Sequence, residues 1–209
     1  MTTPTTIDTD TELSAVNSIL GAIGQSPVTT LNYQNPEIGL LYNILTEVNK
    51  DVQNEGWIFN IEKHVTTSPD STTKYIAIPS NILRYDLTDG QTFRTQDLVR
   101  RTLNGTEYLY DTVNHTYEFD DNVDLDVVYL WEYENLPSVF KRYIISRASV
   151  RAATQLVNNP QLVQLLQQQE AMNRASCMEY ECNQGDHSYF GLGHSQTYSS
   201  YQPYKALQR

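Results

Sequence analysis

The sequence predicts an α+β chain: a helical bundle formed by N- and C-terminal helices, with an inserted antiparallel β-sandwich or barrel and an extended C-terminal arm. Three observations predict it. Apolar residues recur at helical spacing over residues 13–23, 38–52, 139–156 and 162–178. Between these stretches, residues 57–131 hold short runs of β-branched and aromatic residues separated by Gly, Asn and Asp turns. After residue 183 both periods stop. The expected organisation is a flexible N-terminus over 1–10, a helical domain from 11–56 and 136–183, a β-domain over 57–135, and an arm over 184–209.

Each element has a local cause. Thr11 or Asp10 is a helix cap, and Leu13, Val16, Leu20 and Ile23 make one stripe, widened by Ala15, Ile19 and Ala22. Gly24 and Pro27 stop that helix. Asn35-Pro36 opens a second helix, because Pro fits the first turn, and Ile38, Leu41, Leu45, Val48 and Val52 form its apolar face up to Gly56. Alternation then predicts strands over 57–62, 75–79, 82–87, 97–102, 107–110, 116–119 and 123–131. Asn104-Gly105 is the strongest hairpin signal among them. A third helix follows Pro137, with Val139, Phe140, Ile144, Ala148, Ala152 and Leu156 on its stripe. Asn158-Asn159-Pro160 breaks it. A fourth runs over 161–180 with Leu162, Leu165, Leu166, Met172, Ala175 and Met178. Neither helical pair makes a generous core alone, so the first pair is expected to pack on the second.

Composition narrows the function. The chain has 209 residues, with 25 acids against 14 Lys plus Arg, for a net charge of −11. A protein that grips nucleic acid neutralises phosphates with a basic face, and this chain has no such surplus. An acidic surface suits a passage through which DNA slides without adhering. No apolar run approaches 18 residues and residues 1–10 carry no basic, apolar leader, so no membrane span or secretory signal is expected. Two cysteines suit a reducing compartment. Fifteen tyrosines fit either β-structure or surfaces buried against partners.

The motifs for bond chemistry are few. No phosphate loop, dinucleotide fingerprint, nucleophile elbow or HExxH occurs. Cys177, Cys182, His187 and His194 are spaced C-x4-C-x4-H-x6-H, which fits no standard zinc finger. Five residues along a helix turn roughly 500°, so the two thiols diverge by about 140°. No catalytic residue, metal or cofactor is assigned. The acidic segment from Glu118 to Glu134 includes Asp120, Asp121, Asp124 and Asp126. Its readings are a solvated turn, a channel wall or interface, a loose calcium loop lacking its Gly and closing Glu, and paired carboxylates of a hydrolase acting on polysaccharide. Lys141, Arg142, Arg147 and Arg151 share the third helix, which makes them either a subunit interface or an intramolecular salt-bridge face. In residues 184–209, Tyr189, Phe190, Tyr198, Tyr201 and Tyr204 punctuate a Gly- and Ser-rich stretch with too little aliphatic area to fold alone. The readings are a floppy tail or an arm whose aromatic residues order on a neighbouring subunit or partner.

Four blocks carry a family resemblance: the run over 12–31 that begins Glu-Leu-Ser-Ala-Val-Asn, the Gly-Trp-Ile-Phe-Asn-Ile-Glu-Lys block at 56–63, the Leu-Pro-Ser-Val-Phe-Lys-Arg-Tyr-Ile-Ile-Ser-Arg-Ala-Ser block at 136–149, and Cys-Met-Glu-Tyr-Glu at 177–181. In this order they resemble the tail tubular A proteins, the head-to-tail adaptors of short-tailed phages (podoviruses). The resemblance implies a non-enzymatic virion protein of the tail, assembled in the bacterial cytoplasm. It further implies a homo-oligomeric ring of twelve copies between the capsid portal protein and the nozzle, tail tubular protein B. Tail fibres would dock nearby, and DNA would pass through the bore without specific binding or any membrane contact. The alternative is the polysaccharide hydrolase using carboxylates of 118–134.

Overall fold

In the computed structural model the described residues are 10–88, 96–157 and 159–185, with the backbone of 187–188 and 191–192. The chain divides into two compact units. Met1–Glu55 with Trp131–Gly185 forms a helical unit, and Gly56–Leu130 with Asp186–Arg209 forms a strand unit.

In the helical unit, α1 spans Glu12–Ala22 and is capped by Thr11, whose Oγ1 accepts the Ser14 N–H. Its end turns through Gly24 at φ +81°. α2 spans Pro36–Asn54, with Asn35 accepting the Glu37 N–H. α3 is Ser138–Leu156 and α4 is Pro160–Gln184, the latter capped by Asn159 on the N–H groups of Gln161 and Leu162. α3 packs against each of the other three helices. That position explains why it is buried on nearly every side, with Phe140, Tyr143, Ile144, Ala148, Ser149, Ala152 and Ala153 all inside. Its small residues let neighbours approach, and Ser146 and Ser149 satisfy their hydroxyls on carbonyls of their own helix. Val16, Ile19, Leu41, Leu45, Val48 and Val52 fill the other side of this core. Burying each is worth roughly 1.5–3 kcal/mol against exposure.

α4 departs from its expected stripe. Leu166 and Cys177 are its buried residues, while Leu165, Met172 and Met178 stand exposed. Its inward face runs through Leu162, Leu166, Glu170, Asn173, Cys177 and Tyr180, all buried or half-buried. Glu170 and Asn173 interrupt that face, so hydropathy alone points to the wrong side of the helix.

In the strand unit, β1 (Ile61–Thr67), β2 (Ile82–Leu87) and β5 (Val123–Tyr129) form an antiparallel sheet ordered β1-β5-β2. β3 (Leu98–Leu103) and β4 (Thr106–Asp111) form a hairpin. Its two-residue turn is Asn104-Gly105, at φ +52° and +83°, the geometry that fits right-twisted strands. Ile76, Ile78, Ile82, Leu109, Phe119, Val123, Leu125 and Val127 make the core of this unit. The sheets stay open, and bulges in β1 and β2 interrupt the pairing with β5. The α+β class therefore stands, without a closed barrel. A short pairing of β6 (His187–Ser188) with β7 (Gly191–Leu192) completes the described strands.

Three expected strands shrink. Residues 57–60 form a turn, because the Asn60 side chain accepts the Trp57 N–H at 2.8 Å and the Asn60 N–H bonds the Trp57 carbonyl. The stretch 75–79 makes a single bridge, Ala77 to Tyr108, and Thr116 bridges only to Asp111. In the second case the Asp111 carboxylate takes the N–H groups of Val113 and Asn114 and turns the chain. Among the described residues no helix is long and apolar enough to cross a membrane.

Candidate functional site

The basic residues of α3 meet different fates. Lys141 is buried and donates to the backbone carbonyls of Glu134 (2.8 Å) and Asp10 (3.3 Å). It ties the entry to α1 to the 3₁₀ turn Tyr133–Asn135. Arg147 bonds Glu55 at 3.1 Å and donates to the Tyr143 hydroxyl at 3.2 Å. Arg174, on α4, grips both oxygens of Glu55 (3.1 and 3.0 Å) and the same hydroxyl at 2.7 Å. Hydrogen bonds to Glu55 first, then to Tyr143, hold the Arg174 guanidinium above its ordinary pKa. Arg151 pairs with Glu47 at 2.9 Å and lies 3.7 Å from Asp51. Arg147 and Arg151 line an open groove of about 420 Å³ with Val48, Asp51, Val150 and Glu170. Arg142 is exposed. Within the chain Arg147 and Arg151 thus form ion pairs, Lys141 is held by backbone carbonyls, and Arg142 is exposed.

The acidic residues divide between a turn and a sheet face. Asp120 pairs with Lys74, which holds its carboxyl below the ordinary range. That direction is opposite to what a general acid needs. Asp121 is exposed. Along β5, Val123, Leu125 and Val127 point into the core, so Asp124 and Asp126 lie on the outer face. There Asp124 accepts from the Thr66 hydroxyl at 2.7 Å and lies 3.6 Å from His64 Nδ1. Asp126 accepts from the His64 N–H (3.1 Å) and the Thr88 hydroxyl (2.9 Å). These bonds hold the β1 bulge, where His64 adopts φ +58°. Among the described residues no three His, Cys, Asp or Glu side chains are placed to hold a metal ion. Cys177 is buried, its thiol pushed up to about 11 by desolvation, and Cys182 is exposed on the same helix. The side chain of His187, and all of His194, Tyr189, Phe190, Tyr198, Tyr201 and Tyr204, lie outside the described residues.

Sequence reasoning missed the residues that fasten the chain. Asn17 donates to the Val28 carbonyl (2.9 Å) and accepts its N–H (2.7 Å). Gln53 does the same with Trp131, at 2.9 and 2.8 Å. Asn60 holds the Trp57 N–H and the Tyr129 carbonyl. One signal was available for Gln53: it lies four residues past Asn49 at the border of the apolar stripe of α2, where a buried polar residue needs an internal partner.

The family profile described as tail tubular protein matches residues 13–187. The chain belongs to the tail tubular protein family. A relative from Klebsiella phage KP34, named tail tubular protein A, is 31% identical over 128 residues, which is 60% of this chain and 62% of that protein. The matched stretch thus spans less than two thirds of the relative's length. Membership makes the chain a structural component of a phage tail, and so of the virion. The four blocks that carry the resemblance contain its fasteners other than Gln53. The first supplies the Asn17 clamp, and the Gly-Trp block supplies Gly56 at φ +81°, buried Trp57 and Asn60. The Leu-Pro block supplies Lys141 and Tyr143. The Cys-Met block supplies Cys177, 3.5 Å from the Val139 carbonyl, and Tyr180, edge-on to Phe140 at 5.8 Å. In this tail tubular protein those signatures hold the scaffold together.

Proposed function

We propose that the chain is the tail adaptor, a non-enzymatic ring of twelve copies joining the capsid portal to the nozzle protein and enclosing the DNA on its way out. The family match over residues 13–187 carries this reading. The net charge of −11 supports it, because phosphates are repelled by an acidic wall and adhesion would arrest passage. Asp121, with Asp124 and Asp126 on the outer sheet face, is the candidate lining or interface. Arg142 and the Arg147–Arg151 groove are candidate contacts between copies, which in a ring join unlike surfaces. Residues 184–209 reach a neighbour or the portal, and tail fibres dock nearby. Assembly takes place in the host cytoplasm.

Cryo-electron microscopy of the purified chain mixed with portal protein tests the proposal. The expected image is a closed ring coaxial with the portal. Density lying off the exit axis, or no complex, would overturn it. Release of reducing ends from bacterial capsule by the purified chain would instead support a hydrolase.

A further inference from the structure

Tyr108 and Tyr110 flank Leu109 on β4. Leu109 is fully buried, so strand alternation turns both tyrosines to the opposite face, where Tyr108 is half-buried and Tyr110 is itself buried under its neighbours. Two more tyrosines join them. Tyr75 meets Tyr108 edge-on at 5.5 Å and Tyr117 at 5.8 Å, and Tyr117 meets Tyr110 edge-on at 4.8 Å. Arg101, paired across the hairpin with Tyr108, stacks its guanidinium 3.7 Å from the centre of the Tyr110 ring. Its neighbour Arg100 points to the other face and is tied to Glu107 and the Ile82 carbonyl. Arg101 has no carboxylate partner among the described residues, although the chain has a large surplus of acids. Stacking uses the face of a guanidinium and leaves its N–H edge available. Tyr75, Tyr108 and Tyr117 are half-buried and Arg101 is exposed. Tyrosines around an arginine are the composition of an interface centre, not of an ordinary solvated hairpin.

We propose that this face, with Tyr75, Tyr108, Tyr117 and Arg101 over the buried Tyr110, receives residues 189–209 of a neighbouring copy. The inference rests on the ring reading above and names the surface that the arm would occupy. Two properties of the sequence select this occupant. Residues 187–209 hold five aromatic side chains and few aliphatic ones, so they bury apolar area by ring contacts, the contacts this face offers. They also carry Lys205 and Arg209 and no acid, whereas the body of the chain is acidic, with Glu118 exposed beside Tyr117. Cations near tyrosine faces and acids are attracted to both.

The contact is heterologous, so complementation tests it. Two full-length variants are needed. Arg101→Ala with Tyr108→Ser damages the face, and Tyr198→Ser with Tyr201→Ser and Tyr204→Ser damages the arm. Circular dichroism checks that each is folded, and Arg101→Ala alone replaces the first if it is not. Native mass spectrometry and sedimentation velocity are then run at matched concentrations. The native chain is expected to associate, and each variant alone to associate at least tenfold more weakly. An equimolar mixture is expected to form one-to-one heterodimers, since one partner retains the arm and the other the face. Self-association of the native chain without heterodimers in the mixture overturns this inference and leaves the ring reading intact. A native chain that stays monomeric with and without portal removes both.

Discussion

The Gln53 side chain is fully buried, and its amide pairs with both backbone groups of Trp131 while a third bond reaches Asn49 at 2.9 Å. Truncating it would take the partner from the part-buried Trp131 N–H and carbonyl and from Asn49, and groups left unpaired cost more than the hydrogen bond was worth. Gln53→Ala is therefore expected to destabilise the chain by about 1–3 kcal/mol, read as a lower urea midpoint. A midpoint equal to that of the native chain would show that the clamp carries no stability. The Glu55 node is a weaker case. Arg147 and Arg174 are a third to a half exposed, so solvent screens their pairing and its worth lies in geometry.

Two glycines separate backbone strain from helix propensity at the scale of elements. Gly21 lies inside α1, and a methyl group there meets nothing within 4 Å. Gly21→Ala should raise stability by roughly 0.5–1 kcal/mol, since alanine loses less entropy in a helix. Gly56 has φ +81°, and an added Cβ would stand 2.7 Å from an Arg84 guanidinium nitrogen. Gly56→Ala should lower stability by about 1 kcal/mol or more, because the left-handed backbone is strained for any L side chain. Thermal melts of the two variants should shift in opposite directions, and shifts of one sign would contradict the assignment. The helices as elements were legible: caps at Thr11 and Asn35, the Pro in the first turn of α2, and the Asn-Pro break before α4 are local signals with local causes. The Asn104-Gly105 hairpin was legible for the same reason. Residues 57–60 alternate like a strand but form a turn, because alternation carries no information about a side chain that bonds nearby backbone.

Charge governs the molecule as a whole. Burial pushes the Asp111 carboxyl up, but hydrogen bonds from the Asn114 side chain and the N–H groups of Val113, Asn114 and Asp97 outweigh it and leave the pKa below its ordinary 3.8. Asp70, bonded by Thr73 and Thr72, and Asp120, paired with Lys74, are lowered as well. A depressed carboxyl stabilises the fold fully above its unfolded pKa, and the contribution is lost as pH falls through the folded value. Stability should therefore hold as pH drops to about 4 and fall below it. In Asp111→Asn the neutral-pH stability should be lower and the acid limb shallower, as followed by urea unfolding between pH 2 and 6. An unchanged limb would mean that Asp111 titrates alike in both states.

The sequence by itself determined the α+β class, the helix caps, the hairpin turn and the acidic balance, because each depends on neighbours within one or two turns of chain or on composition alone. The same locality made the family blocks recognisable. Tertiary structure decided which face of α4 is inward, that Lys141 is buried on carbonyls, and that Glu55 gathers two arginines from different helices. It also decided that Tyr75, Tyr108, Tyr110 and Tyr117 form one ring cluster. Those outcomes join residues far apart in the chain, where periodicity carries no phase and only packing chooses the partner.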